Sequence, residues 1–127
     1  MCSAQKRVIY NHMVVDRLTD EMTDRVFLAL GAATRRDILA RAIRQEQSVS
    51  ALARRYEMSF VAVQKHVAVL ERAALVTKQR RGREQIVRCN LPTLRKAAAL
   101  LDAYEQLWIA RVTQIADVLA GEERITR

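Results

Sequence analysis

The chain has 127 residues, enough for one folded domain, and half of them are apolar, so a disordered chain is not expected. Its 22 Lys and Arg residues outnumber 14 Asp and Glu, which gives a net charge of +8 and favours a polyanionic partner. With only three glycines and one proline, the chain should be mainly helical, and any sheet should be short.

Most of the positive charge lies in one stretch. Residues 54–88 contain nine basic and three acidic side chains, so 35 residues carry a net charge of +6. A face exposed only to solvent usually interleaves its charges more evenly, whereas a concentrated basic patch is typical of nucleic-acid binding. We therefore expect a nucleic acid as a partner, and the helical surface described below makes double-stranded DNA the expected one.

Neither a membrane segment nor a secretory leader is expected. No stretch approaches the ~18 consecutive apolar residues of a membrane span, and polar residues interrupt every apolar run among the first twenty. Cys2 and Cys89 are far apart and lack metal-ligand spacing, so no disulfide framework is indicated. We expect a cytoplasmic protein that does not contact a membrane.

Residues 1–13 show no hydrophobic period and are expected to form a flexible arm, followed by a single domain over 14–120 and a C-terminal tail over 121–127. A first helix is predicted from apolar residues at three- and four-residue steps, and Gly31 is placed to end it. The residues of that stripe are Val15, Leu18, Met22, Val26, Ala29 and Leu30.

Three helix starts are indicated by capping residues. Thr34 to Asp37 reads as a capping box, which predicts a second helix that begins there. Ser48 and Ser50 are both candidate N-caps for a short third helix. Ser59 is positioned to cap a fourth helix that extends to about residue 73.

A β-hairpin with a basic tip follows. The β-favouring runs 75–77 and 86–89 flank the basic segment 78–84, in which Gly82 can supply the positive φ of a turn. The alternative is a surface hairpin whose arginines are only solvated.

The last predicted helix starts near Pro92 and extends to about Leu119. It carries two offset apolar stripes, and their combined apolar surface is larger than a single small domain can cover. We therefore expect this helix to pack against a second copy of the chain. A fully buried helix is the alternative. The expected dimerisation residues are Leu100, Ala103, Leu107, Trp108 and Val112.

The predicted fold is mainly α with a small β-hairpin wing: a winged helix-turn-helix of order α-α-α-α-β-β-α that forms a homodimer through its terminal helices. The helix-turn-helix pair would span about 49–57 and 59–73. A helical wheel at 100° per residue divides the fourth helix into a face that is predicted to be buried and an opposite face that is predicted to be exposed. The N-terminal half of the exposed face carries almost no charged side chains. The core face carries Val63, His66, Val67 and Leu70.

That second face suits a major groove. Small apolar side chains allow close approach and contact with thymine methyl groups, Gln64 can pair with adenine, and Lys65 can reach guanine or a phosphate. Wing arginines would contact phosphates or the minor groove. A helix buried between two others is the alternative. The expected DNA-contacting residues are Ser59, Val61, Ala62, Gln64, Lys65, Arg80, Arg81 and Arg83.

Several segments together resemble the ArsR/SmtB family of bacterial repressors over roughly residues 20–120. They are Arg25–Leu30, Ala33–Leu39, Ser48–Ala53, Met58–Ser59, Val63–Glu71, Ala73–Val76 and Arg81–Arg83. The resemblance implies a homodimeric winged helix whose terminal helices pair, and a repressor that binds a near-palindromic operator. Gln64 stands where the family often has Ser, and Ala74 where it usually has Gly.

Many members of that family release DNA on binding metal, but neither known site is present here. The cysteine-containing site of the third helix is replaced by residues 49–54, and the terminal helix has no histidine beside Asp102 and Glu105. We therefore expect no metal and no cofactor. An unidentified small organic effector, or none, is the remaining hypothesis.

Three alternatives stay open. The chain could be a winged-helix protein-interaction module that does not read DNA, although the basic wing argues against this. It could be a metal- or thiol-responsive repressor that uses Cys2, Cys89, His12 or His66, although His66 is expected to be a structural core residue. An enzyme is the third alternative and the weakest, because no phosphate loop, nucleophile elbow, zinc-binding helix or paired-carboxylate site is present in the sequence.

Overall fold

The computed structural model describes residues 7–10 and 13–125 of the chain. Its elements in chain order are β1 (Arg7–Tyr10), β2 (Met13–Asp16), α1 (Asp20–Leu30), α2 (Ala33–Arg44), β3 (Gln47–Ser48), α3 (Val49–Ala53), α4 (Phe60–Arg72), β4 (Val76–Arg81), β5 (Glu84–Cys89) and α5 (Leu91–Ile125). From α1 onward this confirms the predicted order of four helices, a hairpin and a final helix. The structure adds β3 and the β1–β2 hairpin.

One core joins the first four helices to the base of the wing. The apolar stripes of α1, α2 and α4 meet there, so each helix buries one face and leaves the other to solvent. The buried residues are Val26, Ala29, Ile38, Leu39, Ala42, Val49, Leu52, Val63, Val67, Leu70, Ala73, Leu75, Val76, Val87 and Ala97. Burial on this scale fixes the orientation of α4 relative to the wing.

The wing is a three-stranded antiparallel sheet in the order β3-β5-β4. β4 and β5 are longer than predicted, since Arg81 pairs with Glu84 and only Gly82 and Arg83 form the turn. φ is +65° at Gly82 and is not positive at Arg83, the pattern of a type II′ turn, which needs glycine at its first central position. The role predicted for Gly82 is confirmed.

The start of the first helix was predicted too early. Val15 lies in β2, where it pairs with Val8, and α1 begins only at Asp20. The Thr19 side chain accepts a hydrogen bond from the Met22 backbone N–H at 3.2 Å, and this cap sets the start. β1 also places a strand inside the segment 1–13, where no regular structure was expected; residues 1–6 and 11–12 lie outside the described residues. The division into arm, domain and tail stays a prediction.

The predicted capping box at Thr34 is wrong. α2 begins at Ala33 with Ala32 at its N-cap, two residues before the start that a Thr34 cap would give, and no side chain caps it. The neighbouring arginines instead serve the preceding helix: Arg35 donates to the carbonyl oxygens of Leu28 and Ala29, both at 2.8 Å, and Arg36 donates to that of Leu30 at 2.7 Å. Cationic donors at a helix C-terminus satisfy its last carbonyls and complement its dipole.

α3 is shorter than predicted and ends before Tyr56. Ser48, one of its two candidate caps, accepts a hydrogen bond from the Ala51 N–H at 3.0 Å. The Tyr56 hydroxyl donates to Asp37 of α2, which ties the connection between α3 and α4 to the body of the domain. Burial and this hydrogen bond raise the pKa of Tyr56 to about 12, so the hydroxyl stays protonated as the donor.

A single residue, Asn90, separates the wing from the terminal helix. Its backbone N–H donates to the Leu75 carbonyl oxygen at 2.9 Å, and its side chain donates to Thr93 Oγ1 at 3.1 Å. α5 continues to Ile125 rather than ending near Leu119 as predicted. None of the helices in the described part of the chain is both long and apolar enough to cross a membrane.

Candidate nucleic-acid interface

α4 starts with an ordered but exposed first turn. Ser59 is exposed, and its Oγ accepts a hydrogen bond from the Ala62 N–H at 3.1 Å, which confirms the predicted cap. The connection from α3 spans residues 54–59, and α3 packs against α4. This arrangement of two helices joined by a short connection is a helix-turn-helix.

The buried and exposed faces of α4 are those predicted. Val63, Val67 and Leu70 are fully buried. On the other side, Gln64 and Lys65 are exposed, Val61 is 57% exposed and Ala62 is half-buried. The surface formed by Val61, Ala62, Gln64 and Lys65 therefore faces solvent rather than the core.

Phe60 is a surface residue that sequence reasoning missed. On the helical wheel it falls at the margin of the core face, yet its side chain is 44% exposed. As the first residue of α4 it has no preceding helical turn to cover it. It extends the uncharged surface of α4 with an aromatic ring.

The wing presents its arginines on two different faces. Because side chains alternate along a strand, Lys78 and Arg80 share one face of β4 and Arg81 lies on the other. Lys78 Nζ lies 3.4 Å from Glu71 Oε1 of α4, so the face with Arg80 is the one turned toward α4. Arg80 Nε also donates to the Gly82 carbonyl oxygen at 3.2 Å, which keeps its guanidinium at the tip.

Arg81 is held by a residue that the sequence pattern did not single out. Its Nη1 donates to Glu46 Oε1 at 2.8 Å, while Arg88 Nε lies 3.4 Å from Glu46 Oε2. This hydrogen bond with Arg81 lowers the pKa of Glu46, which therefore carries its charge at neutral pH. Glu46 is 35 residues from Arg81 in sequence, and the pairing of β3 with β5 brings the two segments together.

Arg83 occupies the turn itself and is exposed. Within the described part of the chain, its side chain forms no ion pair or hydrogen bond. The structure thus places the predicted arginines in three settings: Arg80 at the tip on the α4 side, Arg81 in an ion pair on the opposite face, and Arg83 at the turn.

His66 is half-buried on the core side of α4, as predicted for a structural residue. Arg35 Nη1 lies 3.4 Å from His66 Nδ1, and because a guanidinium only donates, Nδ1 is the acceptor. Burial raises the pKa of the half-buried Cys89 thiol, which disfavours its thiolate. Among the residues that the structure describes, no three His, Cys, Asp or Glu side chains are grouped to hold a metal ion.

The terminal helix exposes a long apolar surface. Of the predicted dimerisation residues, Leu107, Trp108 and Val112 are 68%, 63% and 46% exposed, and Leu100 and Ala103 are half-buried. The same helix also exposes Leu101, Tyr104, Ile109, Ile115, Val118 and Leu119. A contiguous patch of this size on a single helix is characteristic of an interaction surface.

The fold and these surfaces define a winged helix-turn-helix protein. An ArsR-like transcriptional regulator from Rhodococcus sp. RHA1 has a similar structure, with a TM-score of 0.68 and 34% sequence identity over 77% of this chain and 92% of that one. A second protein, an ArsR family transcriptional regulator, gives a TM-score of 0.68 and 27% identity over 72% of this chain and 95% of that one. The chain belongs to the ArsR family of transcriptional regulators.

A more distant likeness concerns the fold alone. The homodimeric winged helix-turn-helix DNA-binding domain of a Mycobacterium bovis protein gives a TM-score of 0.56 and 24% identity over 68% of this chain and 81% of that one. No protein-family model and no curated protein matches the sequence.

Proposed function

We propose that this protein is a sequence-specific DNA-binding regulator that represses transcription by binding a near-palindromic operator as a homodimer. The observation that carries the proposal is the exposed, nearly uncharged N-terminal half of α4, together with a wing that packs against α4 through β4 and carries Arg80 and Arg83 at its tip. A helix with a close-fitting surface can enter a major groove, and flanking arginines neutralise the adjacent phosphates. Neither surface resembles a catalytic cleft.

Within this proposal the residues have separate roles. Gln64 pairs with an adenine edge, Lys65 reaches a guanine edge or a phosphate, and Val61 and Ala62 lie against thymine methyl groups. Ser59 caps a helix N-terminus whose remaining N–H groups favour a phosphate oxygen.

Dimer formation rests on the exposed apolar surface of α5. The helix has 35 residues and is about 52 Å long, and its large apolar side chains from Leu101 to Leu119 are uncovered. Burying them against the same helix of a second copy is a self-complementary twofold contact. The Mycobacterium bovis domain of the same fold is homodimeric. A twofold protein would bind half-sites about 34 Å apart, one turn of DNA.

Selection of bound fragments from genomic DNA of the source organism tests the proposal. We expect enriched fragments that share a near-palindromic sequence, and tighter binding to that sequence than to a shuffled duplex of the same composition. Transcription in vitro from a promoter that overlaps the sequence should fall when the protein is added. If selection enriches no sequence, the chain is a protein-interaction module; if transcription rises, it is an activator.

A further inference from the structure

The outer face of the wing carries a cluster of three charged residues, one of which, Arg81, is a predicted DNA contact to which the proposed function assigns no role. Glu46 bridges Arg81 and Arg88 through separate carboxylate oxygens, at 2.8 and 3.4 Å. The side chains are 39%, 55% and 58% exposed, respectively. The cluster is therefore on the surface, where phosphates could compete for both arginines.

The strand register indicates where Glu46 lies relative to Arg81 and Arg88. β3 pairs with β5 so that Gln47 faces Val87, and extending this register by one residue places Glu46 beside Arg88 at the base of the wing. Arg81 faces Glu84 next to the turn, at the other end of the hairpin. The 2.8 Å contact between Arg81 Nη1 and Glu46 Oε1 therefore requires both side chains to extend along the outer face, which directs the Arg81 guanidinium from the tip toward the base of the wing.

We propose that Glu46 is a positioning residue of the DNA-binding surface, which retains Arg81 and Arg88 at the base of the wing and leaves Arg80 and Arg83 to contact phosphates. This inference rests on the proposed function. Exposed ion pairs are individually weak, so Glu46 should affect affinity for DNA much more than it affects folding. Because phosphate contacts carry no base information, its effect should be the same on any sequence.

The test is binding of a 30-base-pair duplex of random sequence at several salt concentrations. Glu46→Gln keeps the shape of the side chain and removes its charge. We expect the variant to bind about two- to tenfold tighter. The reason is that a released arginine should contribute about as much binding free energy, through a phosphate contact, as an exposed ion pair contributes to stability. The slope of log affinity against log salt concentration should steepen by about 0.9 for each arginine that gains a phosphate.

Glu21→Gln is the matched control for net charge. It breaks another exposed pair, Arg25 Nη2 to Glu21 Oε1 at 2.6 Å, on α1 and away from the wing. We expect an unchanged slope for this variant. Adding Glu46→Gln to an Arg81→Gln background should steepen the slope less than it does in the wild-type chain, because one of the two arginines is then missing.

A second comparison uses arginines alone and does not depend on the glutamate variant. Arg83→Gln should make the salt slope shallower by about 0.9, whereas Arg81→Gln should leave it unchanged. An unchanged slope or weaker binding for Glu46→Gln, or equal losses for the two arginine variants, overturns the inference while the proposed function stands. If the wild-type chain binds no duplex at any salt concentration, both fall.

Discussion

The Asn90 side chain donates a hydrogen bond to the carbonyl oxygen of Ala74 at 2.8 Å, and Ala74 has a φ of +58°. Ala74 follows the end of α4, where the Ala74 N–H bonds to the Glu71 carbonyl and the Leu75 N–H to that of Leu70. These two bonds form a Schellman motif, whose left-handed position is usually glycine because a Cβ atom is strained there. The family resemblance had placed Ala74 where Gly is usual, and the backbone gives the reason.

Ala74→Gly should stabilise the protein. Relief of the left-handed strain exceeds the extra entropy of the unfolded chain, so we expect a gain of about 0.5–1 kcal/mol in the free energy of unfolding. Urea denaturation at a fixed protein concentration measures it. Ala73→Gly is the control: Ala73 is fully buried with a φ of −81°, so the same change should destabilise by about 1 kcal/mol. A loss of stability in Ala74→Gly would contradict the strain argument.

Tyr56→Phe should reduce stability in a pH-dependent way. Hydrogen bonds from Tyr56 and Arg41 lower the pKa of Asp37 below its ordinary value of 3.8. A lowered folded-state pKa adds stability that is present above about pH 4 and is lost as the pH falls through the lowered value. We expect Tyr56→Phe to cost about 0.5–1.5 kcal/mol at pH 7 and less at pH 3, measured by urea denaturation.

Thr77→Val provides the comparison for that experiment. Thr77 is exposed in β4, and its hydroxyl forms no hydrogen bond with any residue the structure describes. Removing this hydroxyl should change stability by the same small amount at both pH values. If the cost of Tyr56→Phe is the same at pH 3 as at pH 7, the bond to Asp37 does not couple folding to the ionisation of that carboxyl.

Leu107→Glu should disrupt the proposed dimer. Leu107 is 68% exposed in one chain, and a carboxylate in its place would be buried without a partner when two copies of α5 pack together. We expect a monomer by light scattering at micromolar concentration, and weaker binding to a two-half-site duplex. Gln106→Glu adds the same charge one residue away, on the polar side of the helix, and should stay dimeric. A dimeric Leu107→Glu would place the interface elsewhere.

Gln64→Ala should change which sequence the protein prefers. Loss of a bidentate pair with adenine reduces discrimination at one base pair by about 1–3 kcal/mol, while binding to shuffled DNA should be unaffected. Competition between duplexes that differ at single positions measures this effect. Arg83→Ala should weaken binding to the preferred and shuffled duplexes by the same factor. Uniform weakening by Gln64→Ala would indicate that this side chain does not read a base.

Local sequence signals predicted the elements whose cause is local. Ser48 and Ser59 cap their helices, Gly82 takes the positive φ of the turn, and the apolar spacing of α4 sorts its buried and exposed residues correctly. For the two caps and the turn, the determining contact is within about four residues along the chain. The apolar spacing of α4 also predicted which of its residues form the exposed face.

The predictions that were wrong or missing concern features that are determined by contacts between residues distant in sequence. Thr34 has the right neighbours for a cap, but Arg35 and Arg36 are oriented by the carbonyls of the preceding helix. The Val15 stripe continues the helical period, yet Val15 pairs with Val8 in a strand. Glu46 could not be linked to the wing before β3 was known to pair with β5.

The one-residue junction at Asn90 has a mechanical consequence. Its backbone and side chain bond to Leu75, Ala74 and Thr93, so the hairpin and the start of α5 are fixed to each other on both sides of the junction. A tilt of the first turns of α5 should therefore move the hairpin with it, because packed elements shift as rigid bodies. In the proposed dimer, a change in how the two copies of α5 cross is expected to change the spacing of the two wings.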